Sequence, residues 1–234
     1  LQLILPGEDA PNHRHSPSAI RLIVEGAGGF TTVEGERLPM EPGDLILTPS
    51  GLWHEHGHTG SEPVIWMDAL DLPLIYYLET SQAEGAPLQN APVSPDSSQT
   101  KFRRAGFLPY DLLRDPNPYP MLRYPWKETR EALTELAGAA DRDALVQLTY
   151  ITPVTGQECL PILGFSALML RPGESADLGR RTCSAVIHAV EGHGSSEVDG
   201  SSFDWDIHDM TAIPPHAPCT LQNGSATRPA FLFI

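Results

Sequence analysis

The 234-residue sequence predicts a mainly β protein of two similar halves, each a small antiparallel barrel or sandwich. Three observations carry the prediction. Short apolar runs are punctuated by turn-forming residues, with 23 prolines and 20 glycines in the chain. Motifs of the first half return in the second at a nearly fixed offset. Between them lies material of a different kind, an Ala/Pro/Ser/Gln-rich stretch and then one segment with helical spacing.

Taken in order, Leu1-Gln2-Leu3-Ile4-Leu5 reads as a strand already under way. It has no basic flank or cleavage pattern, so no signal peptide is expected. Phe231-Leu232-Phe233-Ile234 also reads as a strand, and material is expected to be missing at both ends. Val24 to Phe30, with its glycines, reads as a hairpin bend. Residues 38–49 read as strand, Pro42-Gly43-Asp44 turn and apolar strand. Residues 84–100 read as an exposed linker. Tyr124 to Ala140 reads as a helix: Pro125 suits a first helical position, and Trp126, Arg130, Leu133, Leu136, Ala137 and Ala140 recur at helical spacing. It is expected to pack the two barrels together.

The repeat is specific. Leu3–Glu8 resembles Met169–Glu174 in its Pro-Gly-Glu, and Ser18–Gly26 resembles Ser184–Gly192, both at an offset of 166. Val33-Glu34-Gly35 matches Val198-Asp199-Gly200 at 165. The expected division is 1–83 for a first barrel, 84–144 for the connection and 145–234 for a second barrel.

A net charge of −15 argues against a nucleic-acid or anionic-membrane partner. No apolar run approaches the ~18–20 residues that span a bilayer. Cys159, Cys183 and Cys219 form an odd set without Cys-x-x-Cys spacing, which fits buried free thiols in a reducing cytoplasm.

The chemistry lies in the first half. His13 and His15, two apart on an extended strand, point to one side, and His54 follows the Pro49-Ser50-Gly51 turn. Three neutral imidazoles suit Zn, Fe, Cu or Ni. The spacing Gly7-x5-His13-x-His15, with Gly43-x5-Pro49-x-Gly51-x2-His54, resembles the two motifs of the cupin superfamily. That resemblance implies a double-stranded β-helix (jelly-roll) barrel around a metal, twice over in a bicupin. Cupins often carry a glutamate ligand shortly after the second histidine. Ala19 and Ile20 stand there instead, so a three-histidine site is expected. It leaves a divalent charge uncancelled and favours an anionic substrate.

The runs His13–Arg21, Thr48–Gly57 and Trp66-Met67-Asp68, with Phe107–Tyr110 and Tyr124-Pro125-Trp126, resemble the gentisate 1,2-dioxygenase family, which includes salicylate and 1-hydroxy-2-naphthoate dioxygenases. The resemblance covers nearly the whole chain. It implies Fe(II), one per chain, held by His13, His15 and His54. It implies a small aromatic acid and dioxygen as reactants, with gentisate opened to maleylpyruvate as the first choice. It further implies that Gln2, Arg21 and Trp66 bind substrate, that His56 and Asp68 act in catalysis, and that copies assemble, as a tetramer by analogy.

An arginine offers a planar fork for a carboxylate, although a surface salt bridge would also account for Arg21. His56 suits a proton shuttle or an oxyanion donor, and a structural histidine is the alternative. Asp68 could polarise a substrate hydroxyl or orient a ligand histidine, and Trp66 could simply be core. His58 is assigned no chemistry. In the second half Gly179, Arg181 and Cys219 take the places of the three histidines, so that barrel is expected to be metal-free. Two other readings stay open. A Zn or Mn cupin isomerase or hydrolase would turn over without oxygen. A non-catalytic bicupin would bind a small acid and consume none.

Overall fold

A computed structural model describes residues 1–86, 93–114, 117–141 and 144–234. It is mostly β and divides into two compact units: residues 1–126 with 151–164, and residues 127–150 with 165–234.

The first unit opens with eight strands: β1 (Gln2–Ile4), β2 (Asp9–His15), β3 (Ala19–Glu25), β4 (Gly29–Val33), β5 (Glu36–Pro39), β6 (Leu45–Thr48), β7 (His54–His58) and β8 (Val64–Leu70). The short helix α1 (Leu72–Tyr77) follows, then β9 (Ala83–Gly85), β10 (Ser94–Pro95), α2 (Ser97–Phe102) and β11 (Arg123–Tyr124). One sheet runs β1-β8-β3-β6-β11 and the other β10-β5-β4-β7-β2-β9. From β1 to β8 the chain passes from one sheet to the other at each step except the β4–β5 hairpin, which is jelly-roll connectivity. Among the described residues the two hydrogen-bonded ladders stay separate.

The bend at Val24–Phe30 therefore differs from expectation. It carries the chain from one sheet to the other, because β3 pairs with β6 and β8 while β4 pairs with β5 and β7. Gly26 makes the corner possible: its φ is +94°, and a side chain there would collide with the Pro63 carbonyl oxygen.

Six of the seven residues of Ala19–Glu25 are buried, as are all of Leu45–Thr48 and His54–His58. Later residues close the β6 edge of the first sheet. β11 pairs antiparallel with β6, and the Leu122 carbonyl accepts from Leu47 N–H at 2.8 Å. Buried Arg123 reaches Asp44 (2.6 Å), Asp96 (2.6 Å) and Glu41 (3.2 Å). Asp44 also accepts the Trp126 N–H at 2.8 Å. The 84–100 stretch is only partly the open linker expected. Ala83–Gly85 pairs with β2 and Ser94–Pro95 with β5, while residues 87–92 lie outside the described residues.

The second unit contains α3 from Lys127 onward (the helix spans Trp126–Ala139), then β12 (Val146–Thr149), β13 (Ser166–Leu170), β14 (Ser175–Gly179), β15 (Ala185–Glu191), β16 (Gly194–Val198), β17 (Ser201–Trp205), β18 (Met210–Ile213), β19 (Cys219–Asn223) and β20 (Ala230–Phe233). Leu133 of α3 is fully buried, and Arg130 pairs with Glu191 at 2.8 Å.

Strand order in this unit is β12-β13-β20-β15-β18 and β14-β19-β16-β17. Apart from the added edge strand β12, that repeats β1-β8-β3-β6 and β2-β7-β4-β5 of the first unit strand for strand. Even irregularities recur: the register shift at Ile23/Glu25 returns at Ala189/Glu191, which is the sequence offset of 166. The interior differs. Leu168, Leu170, Ile187, Leu221 and Leu232 pack into one apolar core with Cys219. Cys159 and Cys219 are buried, but Cys183 is exposed, against the expectation of three buried thiols.

Candidate metal centre

His13 and His54 face each other in register across β2 and β7. Their rings lie 4.3 Å apart, and His15 lies 5.7 Å from His13 and 4.8 Å from His54. A ligand atom from each of the three falls within 4.8 Å of the others.

The hydrogen bonds fix which atoms these are. Nδ1 of His13 meets the Pro11 carbonyl at 2.8 Å, Nδ1 of His15 the Pro17 carbonyl at 2.7 Å, and Nδ1 of His54 the Leu52 carbonyl at 2.9 Å. A carbonyl only accepts, so each Nδ1 must carry the proton. Each Nε2 then presents a lone pair. Three neutral imidazoles, locked in the ligating tautomer by backbone two residues away, are a donor set that fits a divalent transition metal. His54 Nε2 is buried and has no protein partner, as a ligand atom would be. Burial, with help from the nearby Arg21 charge, pulls the His54 pKa down to about 3, so its ring is neutral in the metal-free protein. Ala19 and Ile20 are fully buried apolar residues of β3, and among the described residues no carboxylate joins the cluster.

Arg21 and Asp68 face each other across β3 and β8, and Gln2 and Ile23 face Trp66. Registered partners share a sheet face, so Gln2, Arg21, Trp66 and Asp68 fall on one side. Arg21 is no surface residue. Its side chain is 5% exposed, Nε stands 3.1 Å from Asp68 Oδ1, and Nη1 has no partner. Burial lowers the Arg21 pKa to about 10 despite Asp68, and burial raises the Asp68 carboxyl despite Arg21. Desolvation thus outweighs pairing for both groups, and Nε and Nη1 of Arg21 have no hydrogen-bond acceptor among the described residues. The Arg21 guanidinium sits 5.7 Å from the Trp66 ring, which is itself 5.9 Å from His56. Among the described residues, buried His56 Nε2 has no hydrogen-bond partner, while the Trp66 indole N–H is directed at Asp68. Gln2 differs from the rest in being exposed.

His56 is held differently from the three ligands. Its Nδ1 lies 3.0 Å from Thr31 Oγ1, directly opposite on β4, and burial holds its pKa well below the ordinary value. Nothing in the sequence marks Thr31, because its partner lies 25 residues away across a strand pair. His58 proves structural. Its Nδ1 accepts from Gly60 N–H and its Nε2 donates to the Glu62 carbonyl, pinning the turn after β7. At the equivalent positions of the second unit, exposed Gly179 pairs in register with buried Cys219, and exposed Arg181 takes the place of His15.

The cupin domain family matches residues 1–70. A gentisate 1,2-dioxygenase of a Ralstonia species is 48% identical over 235 residues, covering 100% of this chain and 66% of its own length. A 5-aminosalicylate 1,2-dioxygenase of a Comamonas species is 36% identical, covering 99% of this chain and 63% of its own length. The chain thus spans a little under two thirds of the length of these relatives. The solved salicylate 1,2-dioxygenase of Pseudaminobacter salicylatoxidans superposes with a TM-score of 0.88 at 30% identity, covering 99% of this chain and 69% of that one.

Proposed function

This chain belongs to the family of gentisate and salicylate 1,2-dioxygenases, and from that premise we propose that it opens the ring of an ortho-hydroxylated aromatic acid, gentisate first. In that reaction both atoms of dioxygen enter the acid. The ring bond between the carboxylate-bearing carbon and its hydroxylated neighbour breaks, giving maleylpyruvate from gentisate. Salicylate and 1-hydroxy-2-naphthoate are the alternative acids.

The observation that carries this reading is three Nε2 lone pairs beside a buried, incompletely paired Arg21. We assign His13, His15 and His54 as ligands of one Fe(II) per chain, which would supply the redox chemistry with dioxygen. Arg21 holds the substrate carboxylate through its free Nη1. Asp68 orients Arg21 and accepts a proton from the substrate hydroxyl, a role its raised pKa favours. Trp66 stacks beside the ring, and Gln2 meets a ring substituent at the open side. His56 faces the reacting oxygens. The second barrel serves packing and holds no metal. Free thiols support a cytoplasmic setting. The exposed apolar side chains of Leu72, Leu74, Tyr76 and Tyr77 support assembly into a homo-oligomer, a tetramer by family resemblance.

Oxygen uptake tests the reading. Protein loaded anaerobically with Fe(II) is offered gentisate, salicylate and 1-hydroxy-2-naphthoate in turn. Uptake with one acid, abolished in His54→Ala together with bound iron, is expected. Full turnover and retained iron in that variant would refute the assignment. Turnover without oxygen would point to a Zn or Mn isomerase instead.

A further inference from the structure

We infer that Thr31 sets the tautomer of His56 opposite to that of its three neighbours, making His56 a hydrogen-bond donor through Nε2 and no ligand.

The contrast lies in the partner of Nδ1. His13, His15 and His54 each meet a backbone carbonyl, which can only accept. His56 meets a hydroxyl, which can donate or accept. Thr31 is fully buried, and among the described residues its Oγ1 has His56 as its one side-chain partner. If Nδ1 carried the proton, the Thr31 hydroxyl hydrogen would be buried with nothing to donate to. If Thr31 donates to Nδ1, that hydrogen is satisfied and the ring proton moves to Nε2.

His56 itself is buried, 4% exposed. Its Nε2 has no protein partner, and its ring lies 5.7 Å from His54 and 6.1 Å from His13. An N–H there presents a proton to an anionic oxygen bound beside the three ligands, and it cannot offer a lone pair to the metal. The duplication supplies an internal comparison. Position 31 becomes Ser196 in the second barrel and position 56 becomes Leu221, and these two residues again face each other in register. With no imidazole opposite, the Ser196 hydroxyl is buried and unpartnered.

Thr31 is thus a positioning residue, and its use in turnover rests on the dioxygenase reading. The tautomer does not, and long-range 1H–15N correlation spectra of the imidazoles in metal-free protein read it directly. The expected spectrum has His56 protonated at Nε2 and His13, His15 and His54 protonated at Nδ1. Thr31→Val should leave His56 a mixture of tautomers, and Thr31→Ser should restore the single form. With the preferred acid, Thr31→Val should lower kcat by roughly 10- to 100-fold with KM little changed, and the serine variant should recover it. Protonation of His56 at Nδ1 would overturn the assignment. Unchanged kcat in Thr31→Val would overturn its catalytic use. If no acid is turned over by the unaltered protein, the dioxygenase reading fails while the spectrum still decides the tautomer.

Discussion

Arg21 offers the sharpest separation of function from stability. A charge-assisted hydrogen bond from its guanidinium to a substrate carboxylate is worth about 1.5–3 kcal/mol, or roughly 10- to 150-fold in affinity. Arg21→Met removes it, but also strips Asp68 of its partner at 3.1 Å. Breaking a buried pair costs about 3–5 kcal/mol when a bare charge remains. Here Asp68 can take up a proton, since burial already raises its pKa, so the single variant should lose less. The double variant Arg21→Met/Asp68→Leu replaces the whole pair with apolar groups, a change that is often neutral or stabilising. It should melt near the parent protein and still bind the acid poorly. Anaerobic titration of gentisate and of its methyl ester into iron-loaded protein reads the effect. The preference for acid over ester should shrink in the double variant by roughly 10- to 150-fold. A folded, iron-loaded double variant that kept the full preference would refute the carboxylate role of Arg21.

Two further predictions concern stability. His188 of β15 is buried, and its pKa is lowered to about 4, chiefly by burial and then by His208. Its folded pKa lies below the unfolded ~6.5, so the unfolded chain takes up the proton first on acidification. The neutral ring therefore contributes stability above pH ~6.5. That contribution falls by about 1.4 kcal/mol per pH unit down to about pH 4. Its counterpart in the first barrel is Leu22, so His188→Leu should fold and flatten the acid limb of second-barrel denaturation; an unchanged limb would count against this. Asp44→Ala removes two contacts to Arg123 and the acceptor of the Trp126 N–H. With Asp96 still paired to Arg123, the first barrel should lose about 3 kcal/mol in urea titration, and a loss below ~1 kcal/mol would show the Arg123 cluster to be dispensable.

The sequence alone determined the parts of this protein that depend on spacing. Two histidines two apart on a strand, and a third after a Pro-x-Gly turn, must fall on predictable faces because strand periodicity is fixed. The offset of 166 announced two copies of one topology, and Gly179, Arg181 and Cys219 mark where the second copy departs from the three histidines. What spacing could not reach were relations set by register and by which sheet a strand joins. Val24–Phe30 has the composition of a hairpin, yet it crosses between sheets, because only the full strand order decides its neighbours. Residues 84–100 look unstructured, yet their ends pair with β2 and β5, since a barrel edge can recruit polar backbone whatever its side chains. The Arg21–Asp68 pair and the hydroxyl that meets His56 are likewise contacts of tertiary structure, whereas the carbonyls that lock the other three imidazoles stand only two residues away along the chain. Hydrogen-bond direction depends on which atom stands opposite, and strands far apart in sequence decide that only when the sheets assemble.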